Sequence, residues 1–238
     1  MHILAIDTSN EPLALAVWED HQLLGQYQTA KNKNHSVTLM PAIDFLVKNL
    51  GLVPQDFDRF VVAQGPGSYT GLRIGVTTGK TLADTLKKEL VGISSLATLA
   101  MNGQGAEYIV PLFDARRQNV YSGLYQPTAT GVTNLLPDQH VPLTEWLQQI
   151  AAVTSEPLFL GTAAQTFAPI IKEVLPKARF SAEPLQDLPN GFMLAELGSF
   201  AEPTDIASFL PNYLKRVEAE EKWLATHHED TTNYVEKI

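Results

Sequence analysis

The chain has 238 residues, of which 45% are hydrophobic and 18% are charged, and its formal net charge is −9 at pH 7. These proportions are typical of a folded globular protein and exclude a disordered chain. A protein that binds nucleic acid with its own surface needs clustered lysine and arginine, so the acidic balance argues against that class. The absence of cysteine excludes disulfides, thiolate metal sites and cysteine nucleophiles.

The charge is unevenly divided along the chain. Residues 1–104 carry 8 basic and 9 acidic side chains, whereas residues 105–238 carry 9 basic and 17 acidic ones. The nearly neutral first part is therefore the better candidate for a contact with another protein. The N-terminus lacks the basic start of a signal peptide, and no apolar stretch is long enough to span a membrane. We expect a cytoplasmic protein that makes no membrane contact.

The first part of the chain begins with a buried strand that reaches Asp7 and a polar turn. Apolar alternation and helical periodicity define the elements that follow. The patterns predict strands over 3–6, 13–18, 23–27 and 60–64, and helices over 36–50 and 71–86. Gly51 supplies the C-terminal cap of the first of these helices.

The second part of the chain repeats this plan. A strand over 109–113 ends at Asp114, a turn follows over 115–118, and a second strand returns over 119–125. The remaining patterns predict helices over 143–150, 167–174 and 189–214, a strand over 157–160 that meets Gly161, a helical segment over 217–223 and a polar tail over 227–238. We therefore expect an α/β protein with two duplicated ribonuclease-H-like domains, over 1–104 and 105–238, each a mixed sheet flanked by helices.

A glycine-rich segment over 65–75 follows a predicted strand and opens a long helix. Such a junction can bind phosphate with its backbone N–H groups, which makes Asp7, Gly65, Gly67, Ser68 and Thr70 weak candidates for a phosphate or nucleotide site. The spacing required of a P-loop is not met, because the lysine of the 79–81 run lies two turns inside the helix. Capping of the helix by the Ser68 or Thr70 hydroxyl is the favoured interpretation.

Small residues recur every four positions along the 71–86 helix, at Gly71, Gly75, Gly79 and Ala83. This spacing places all four on one face. Each glycine costs about 1 kcal/mol of helix stability relative to alanine, so the pattern needs a reason. Two reasons remain open at this point: close packing on the protein's own sheet or first helix, or docking of a helix from another subunit.

Asp7 and Asp114 each end a strand beside a turn, where ribonuclease-H-like enzymes hold a metal or orient water. A metal site gathers several carboxylates or imidazoles, and neither aspartate has such neighbours in sequence. We therefore expect both side chains to accept hydrogen bonds from turn amides, and we expect no metal site. His35, just before a helix, fits a cap or core residue, and the pair at 227–228 fits a solvated tail.

Five segments together resemble the bacterial TsaB (YeaZ) family, and they extend over most of the chain. They are residues 3–9, 35–36 with 39–41, 65–75, 114–116 with 120–121, and 211–214. The chain departs from the family's usual pattern in one detail, since Lys215 precedes Arg216 where the family has arginine directly. The resemblance implies an ASKHA-type duplicated ribonuclease-H-like fold.

The resemblance also implies a subunit without a catalytic step of its own. Such a subunit activates TsaD, which transfers a threonylcarbamoyl group to N6 of adenosine 37 in tRNAs that read ANN codons. TsaD carries a His-x-x-x-His metal motif, whereas the matching positions here are Ser95 and Leu99. The resemblance therefore implies no cofactor in this chain, with ATP and metal on the partner subunits. The implied partners are TsaD in a heterodimer, TsaE in the full complex, a second copy in a homodimer, and tRNA only through the complex.

In the family the two helices of the first domain form a bundle with a partner, and here they correspond to 36–50 and 71–86. The partner-binding residues that this implies are His35, Met40, Ile43, Val47, Tyr69, Gly71, Leu72, Gly75, Gly79 and Ala83. Two other functions stay open. One is an ATP-dependent phosphotransferase, with phosphates held by 65–70 and 161–162 and with Asp7 orienting water or metal. The other is a glycoprotease-like metallopeptidase.

Overall fold

The computed structural model describes residues 1–31 and 34–215. The first half comprises β1 (His2–Asp7), β2 (Leu13–Glu19), β3 (Gln22–Thr29), α1 (His35–Asn49), β4 (Arg59–Gly65), α2 (Tyr69–Leu86), β5 (Glu89–Ser94) and α3 (Ser95–Ala100). The second half comprises β6 (Ile109–Asp114), β7 (Asn119–Thr128), β8 (Gly131–Pro142), α4 (Leu143–Ala151), β9 (Leu158–Leu160), α5 (Thr162–Val174), β10 (Arg179–Phe180) and α6 (Gly191–Phe200). None of the helices in these residues is long and apolar enough to cross a membrane.

The two five-stranded sheets have the same topology. The first runs β3-β2-β1-β4-β5 and the second runs β8-β7-β6-β9-β10. In each sheet the first three strands of the half pair antiparallel, and the last two are added in parallel to the first strand. The predicted duplication of a mixed sheet flanked by helices is therefore confirmed, including the ribonuclease-H-like order of strands.

The strand β1 is buried on both faces, which is why it reads as a continuous apolar run. Successive side chains point to opposite sides of the sheet. Leu4 and Ile6 belong to the core beneath α1 and α2, whereas Ile3 and Ala5 belong to a second core layer on the other face. The first sheet therefore needs helices on both sides.

The covering helices are exchanged between the halves. The helix α3, which follows the first sheet, packs against β6, β7 and β8, and α6, which follows the second sheet, packs against all five strands of the first. In α6, Leu194 and Ala195 complete the core layer around Ile3 and Ala5. The 105–238 segment is thus not confined to its own sheet.

A buried arginine fixes α6 to the first sheet. The guanidinium of Arg59 on β4 pairs with Glu89 at 2.7 Å. Its Nη1 donates to the carbonyl oxygens of Gly198 and Ala201, at 2.6 and 3.0 Å. These carbonyls lie at the C-terminal end of α6, where backbone oxygens lack helical partners and favour a cation. The contact between α6 and the first sheet is therefore held by polar bonds as well as by apolar packing.

The strands β5 and β10 and the helix α3 were not predicted, and three further details differ from the sequence-based expectations. The helix α5 begins at Thr162, earlier than the predicted residue 167, and the helix predicted over 189–214 covers only Gly191–Phe200. The strand β8 was not predicted, because it is largely polar and half-exposed and lacks a clear period of two. The helical segment predicted over 217–223 and the polar tail over 227–238, with its two histidines, lie outside the described residues.

Candidate functional site

The small-residue stripe of α2 faces the protein's own sheet. All four of its members are buried. A methyl group added at Gly71 would overlap the carbonyl oxygen of Thr8, and one added at Gly75 would overlap the Thr8 hydroxyl. At Gly79 the same methyl group would overlap the side chain of Val62 on β4. The stripe therefore lets α2 lie close to β4 and to the turn after β1.

The hypothesis that this stripe admits a partner helix is consequently wrong, and the alternative of close intramolecular packing holds. Ala83 is completely buried in the same interface. The Thr8 hydroxyl donates to the carbonyl oxygen of Gly71 at 2.7 Å, so the contact is a hydrogen-bonded one as well as a steric fit. No surface remains on this face of α2 for a second molecule.

The glycine-rich loop before α2 is likewise packed against the chain itself. The Ser68 N–H donates to the carbonyl oxygen of Ser9 at 2.7 Å, and the Ser68 hydroxyl accepts from the Gly71 N–H at 3.3 Å. A methyl group at Gly67 would overlap the Ser9 carbonyl, and one at Gly65 would overlap that of Asn212. The predicted Ser68 cap is confirmed, and Gly67, Ser68 and Thr70 also line a cavity of about 410 Å³, so an anion site at this loop stays a prediction.

Lys80, the residue that suggested a P-loop, has a structural role. Its ammonium group donates to the carbonyl oxygens of Ala207 and Phe209, at 2.9 and 3.2 Å. It thereby fixes the segment that follows α6 onto α2, and the Gln64 side chain adds a bond to the carbonyl of Leu210 at 2.7 Å. This segment covers the end of the first sheet and reaches Tyr213.

The two strand-ending aspartates make the same local hydrogen bond. Asp7 Oδ1 accepts from the Ser9 N–H at 2.8 Å, and Asp114 Oδ1 accepts from the Arg116 N–H at 2.7 Å. The predicted role of both side chains in bonding turn amides is confirmed. Their surroundings differ, because Asp7 is completely buried and Asp114 is exposed.

Burial raises the pKa of Asp7 above its ordinary value, against the opposing effects of the Ser9 hydrogen bonds and of the nearby His35. Its second oxygen, Oδ2, has no hydrogen-bond partner among the described residues. His35 is the first residue of α1 and is buried, and its Nε2 lies 2.8 Å from the Asn10 carbonyl. It is thus a core residue that joins α1 to the turn, as its position predicted.

The positions that correspond to the TsaD metal motif lie in α3. Ser95 and Leu99 are both buried, and Leu99 has no ligating atom. Among residues 1–31 and 34–215, no group of three histidine, aspartate or glutamate side chains could hold a metal ion. The described part of the chain therefore does not fit the metal chemistry of a metallopeptidase.

An apolar surface lies on the outward face of α1. Val37, Met40 and Phe45 are 64%, 49% and 60% exposed. The opposite face of the helix, which includes Leu39, Ile43, Leu46 and Val47, belongs to the core. Of the predicted partner-binding residues, only Met40 on α1 and Tyr69 on α2 are exposed, whereas His35, Ile43, Val47 and Leu72 are buried.

Sequence reasoning missed Val37 and Phe45. The apolar residues of α1 extend around more than one side of the helix, so apolarity alone does not say which ones face the core. The buried set at Leu39, Leu46 and Val47 fixes the phase, and Phe45 then falls on the opposite side. The sequence did contain a signal, because a helix that is apolar on two faces has more apolar side chains than its own core buries.

The corresponding helix of the second half, α4, has no such surface. Its core face carries Leu143, Trp146, Leu147 and Ile150. The exposed positions are Thr144, Glu145, Gln148 and Ala151. Because α1 and α4 occupy the same place in the two copies of the fold, the exposed apolar residues of α1 are not a requirement of the architecture.

The outward face of α2 is rich in threonine. Thr77, Thr81 and Thr85 are exposed along it, with Arg73 one turn before them. These residues line one side of a groove of about 900 Å³ whose other side is formed by residues 205–213. The exposed side chains of α1 and α2 form a candidate contact area on two helices that pack against each other; they are Val37, Met40 and Phe45 of α1 and Thr77, Thr81 and Thr85 of α2. We call it the α1–α2 face.

A cleft separates the two halves at the ends of β1 and β6. It contains two adjoining cavities of about 410 and 590 Å³, and Asn10, Glu11, Asp114 and Arg116 line both. The amide of Gly161, the residue before α5, donates to Asp187 Oδ1 at 2.8 Å. One amide in each of the loops expected to hold phosphates, that of Ser68 and that of Gly161, is therefore bonded within the chain.

Comparison with known proteins gives consistent matches. Residues 24–223 match the family model "TsaD: tRNA N6-adenosine threonylcarbamoyltransferase". The tRNA threonylcarbamoyladenosine biosynthesis protein TsaB of Bacillus subtilis is 43% identical over 94% of this chain and 98% of its own length. The TsaB protein of Escherichia coli is 28% identical over 73% of this chain and 76% of its own.

A solved structure agrees with these matches. YeaZ from Pseudomonas aeruginosa superposes with a TM-score of 0.76 at 26% identity, over 90% of this chain and 99% of that protein. Both the sequence matches and the superposition therefore extend over most of the two halves and include the α1–α2 face.

Proposed function

The chain belongs to the TsaB (YeaZ) family of tRNA threonylcarbamoyladenosine biosynthesis proteins, and from this premise we propose that it is a non-catalytic subunit that binds and activates TsaD. TsaD then transfers the threonylcarbamoyl group to N6 of adenosine 37 in tRNAs reading ANN codons. ATP and metal belong to the partner subunits in this proposal, TsaE joins the full complex, and tRNA is engaged through the assembly. In the absence of TsaD a second copy of this chain occupies the same face.

The observation that carries the proposal is the difference between α1 and α4. Exposed apolar side chains that recur on one helix, but not on its structural counterpart, mark a surface that is covered by another molecule. Val37, Met40 and Phe45 supply apolar and aromatic contact area on α1, where α4 has Thr144, Glu145 and Gln148. The small charge imbalance of residues 1–104 also favours burial of this half.

The absence of a catalytic step is supported by what surrounds the candidate groups. Asp7 has no solvent exposure and lines neither cavity of the cleft. The amides of Ser68 and Gly161 are bonded to acceptors within the chain. A phosphotransferase needs these groups free to reach a nucleotide, so no specific observation favours that alternative.

The proposal is tested with a charge placed on the α1–α2 face. Phe45→Asp buries a carboxylate in the interface, and we expect at least a hundredfold loss of TsaD affinity in calorimetric titration. Gln148→Asp, which adds the same charge at an exposed position of α4, is the matched control and leaves the affinity within about twofold. Both variants are expected to melt within a few degrees of the wild type, because both positions are exposed.

Two further measurements separate binding from activation. In an in vitro assay, Phe45→Asp should no longer stimulate tRNA modification by TsaD, whereas Gln148→Asp should stimulate it as the wild type does. Equal TsaD affinity for the wild type and Phe45→Asp would refute the assignment of the α1–α2 face. Modification activity of TsaD that is the same with and without this chain would refute activation even if the two proteins bind.

A further inference from the structure

The turn between β6 and β7 has an unusual backbone. Arg116, Arg117 and Gln118 have φ angles of +68°, +53° and +59°, so three consecutive residues with side chains adopt the left-handed conformation. Side-chain hydrogen bonds hold them there. Asp114 accepts from the Arg116 N–H, and the Asn119 amide donates to the carbonyl oxygens of Arg116 and Arg117, at 3.3 and 3.1 Å. A strained conformation persists only where its surroundings determine it, so this turn is fixed in shape.

The turn presents Arg116 to the cleft between the halves. The side chain is exposed, and its guanidinium makes no ion pair or hydrogen bond within residues 1–31 and 34–215. It lines the 410 Å³ cavity together with Lys215, which comes from the other side of the cleft. Two cations from different parts of the chain therefore meet at this cavity, in a protein whose overall charge is −9.

Aromatic rings adjoin the cations. Tyr69 lines the same cavity and stacks on Tyr213, with 4.8 Å between ring centroids, and the Arg73 guanidinium lies 5.6 Å from the Tyr69 centroid. The two tyrosines are 43% and 39% exposed. An exposed stacked pair of rings with cations beside it is the arrangement by which proteins hold unpaired nucleotides, with bases on the rings and phosphates on the cations.

Two carboxylates in the cavity narrow the choice of ligand. Glu11 and Asp114 line it beside Arg116. They repel a free phosphate, but a carboxylate accepts hydrogen bonds from the exocyclic amino group of a nucleobase. The combination of rings, cations and carboxylates suits a nucleotide segment better than an isolated anion.

We propose that this cavity, which we call the cleft-mouth site, binds a single-stranded segment of the RNA substrate. Arg116 and Lys215 contact backbone phosphates, and a base lies on the exposed ring of Tyr69 or Tyr213. The inference rests on the proposed function in one respect: the net acidity of the isolated chain disfavours a polyanion at long range, so the site acts within the complex with TsaD. Contact with a protein segment is the competing outcome.

The test measures RNA binding by the complex. The complex of TsaD with this chain is titrated into a fluorescein-labelled unmodified tRNA transcript, and anisotropy is followed from about 50 to about 200 mM salt. Arg116→Ala is expected to weaken binding several-fold and to reduce the salt dependence by about one phosphate contact. Arg179→Ala, which removes an exposed arginine of β10, is the matched control and leaves both quantities unchanged.

Competition identifies the form of RNA. A twelve-nucleotide oligocytidine, whose bases carry exocyclic amino groups, is expected to displace the transcript from the wild-type complex more strongly than a twelve-base-pair RNA duplex, and the difference is expected to shrink with Tyr213→Ala. Equal competition by the duplex, or identical affinity and salt dependence for Arg116→Ala and the wild type, would overturn the proposal.

Complex formation is measured in the same samples by size-exclusion chromatography. If Arg116→Ala dissociates the complex while leaving the RNA affinity of the remaining components unchanged, the cleft-mouth site is a protein contact and the RNA assignment is wrong. If the wild-type chain forms no complex with TsaD, the proposed function fails by itself. The wild-type and Arg116→Ala chains are then compared alone with labelled oligocytidine at low salt, where attraction to the phosphates is least screened and equal affinity would also refute the RNA site.

Discussion

In the first half, the aspartate that ends β1 is fully buried beneath α2, whereas in the second half the aspartate that ends β6 is exposed at the cleft. The hydrogen bond from each carboxylate to its turn is the same. What differs is the helix above it. The glycines of α2 allow that helix to touch Thr8, while α5 carries Ala163, Thr166 and Pro169 and leaves the second turn open.

The helices α1 and α4 differ in the opposite sense. In this comparison the exposed apolar surface belongs to the first half, because α1 exposes apolar side chains where α4 exposes polar ones. The two halves share one strand order, so a feature that occurs in only one of them is not required by that strand order. In the first half most of the turn after β1 is buried and α1 has an exposed apolar face. In the second half most of the turn after β6 is exposed and carries the exposed Arg116.

The largest expected effect tests the role of the glycine stripe. Gly75→Leu places a side chain where even a methyl group overlaps the Thr8 hydroxyl, so we expect a loss of about 3 kcal/mol or more in the free energy of unfolding. Thr77→Ala, on the exposed face of α2, should change it by about 0.5 kcal/mol or less. Urea denaturation measures both. A folded Gly75→Leu variant that only loses TsaD binding would restore the docking interpretation of the stripe.

A second prediction, of a smaller change in the free energy of unfolding, compares the two aspartates directly. Asp7→Ala leaves the buried Ser9 N–H without its acceptor, which we expect to cost about 2 kcal/mol of stability. Asp114→Ala removes the same bond at an exposed turn, where water replaces the acceptor, and should cost about 0.5 kcal/mol. The measurement is again urea unfolding, with each variant compared with the wild type. Equal losses would mean that the difference in burial has no energetic consequence.

The pH dependence of stability gives the smallest of the three effects. Because burial raises the pKa of Asp7, the folded chain holds that proton more tightly than the unfolded chain does. The resulting stabilisation is complete below the ordinary carboxyl pKa and is lost as the pH rises through the raised pKa. Asp7→Asn keeps an oxygen acceptor and does not titrate. Its stability relative to the wild type should therefore increase as the pH rises above the ordinary carboxyl pKa, and a constant difference would contradict the shift.

Local patterns in the sequence were sufficient for most of the fold. The apolar runs of β1, β2, β4 and β6 predicted those strands, and the repeated strand, aspartate and turn predicted the duplication. The Ser68 cap and the turn bonds of Asp7 and Asp114 followed from short-range chemistry. The strand β8 was missed because its pairing with β7, rather than its own composition, makes it a strand.

The candidate sites were less predictable. The partner face was predicted on α1 and α2, largely at residues that are buried, because a helix that is apolar on two sides does not reveal which side meets the sheet. The cleft-mouth site was predicted only in part, since Gly67, Ser68 and Thr70 were candidates for an anion site and line this cavity, whereas its cations were not expected there. Its residues, Arg116, Lys215 and Tyr69, come from three distant segments that meet only in the folded chain.

The sequence by itself determined the family, the duplicated α/β plan and the positions of the turns and caps, because each depends on residues that are close along the chain. Only the tertiary structure decided how those parts are used. In the folded chain the glycine stripe of α2 packs on Thr8 and Val62, and Val37 and Phe45 are exposed. The physical reason is that a side chain's role depends on what packs against it, and packing between segments is fixed by the whole fold rather than by local spacing.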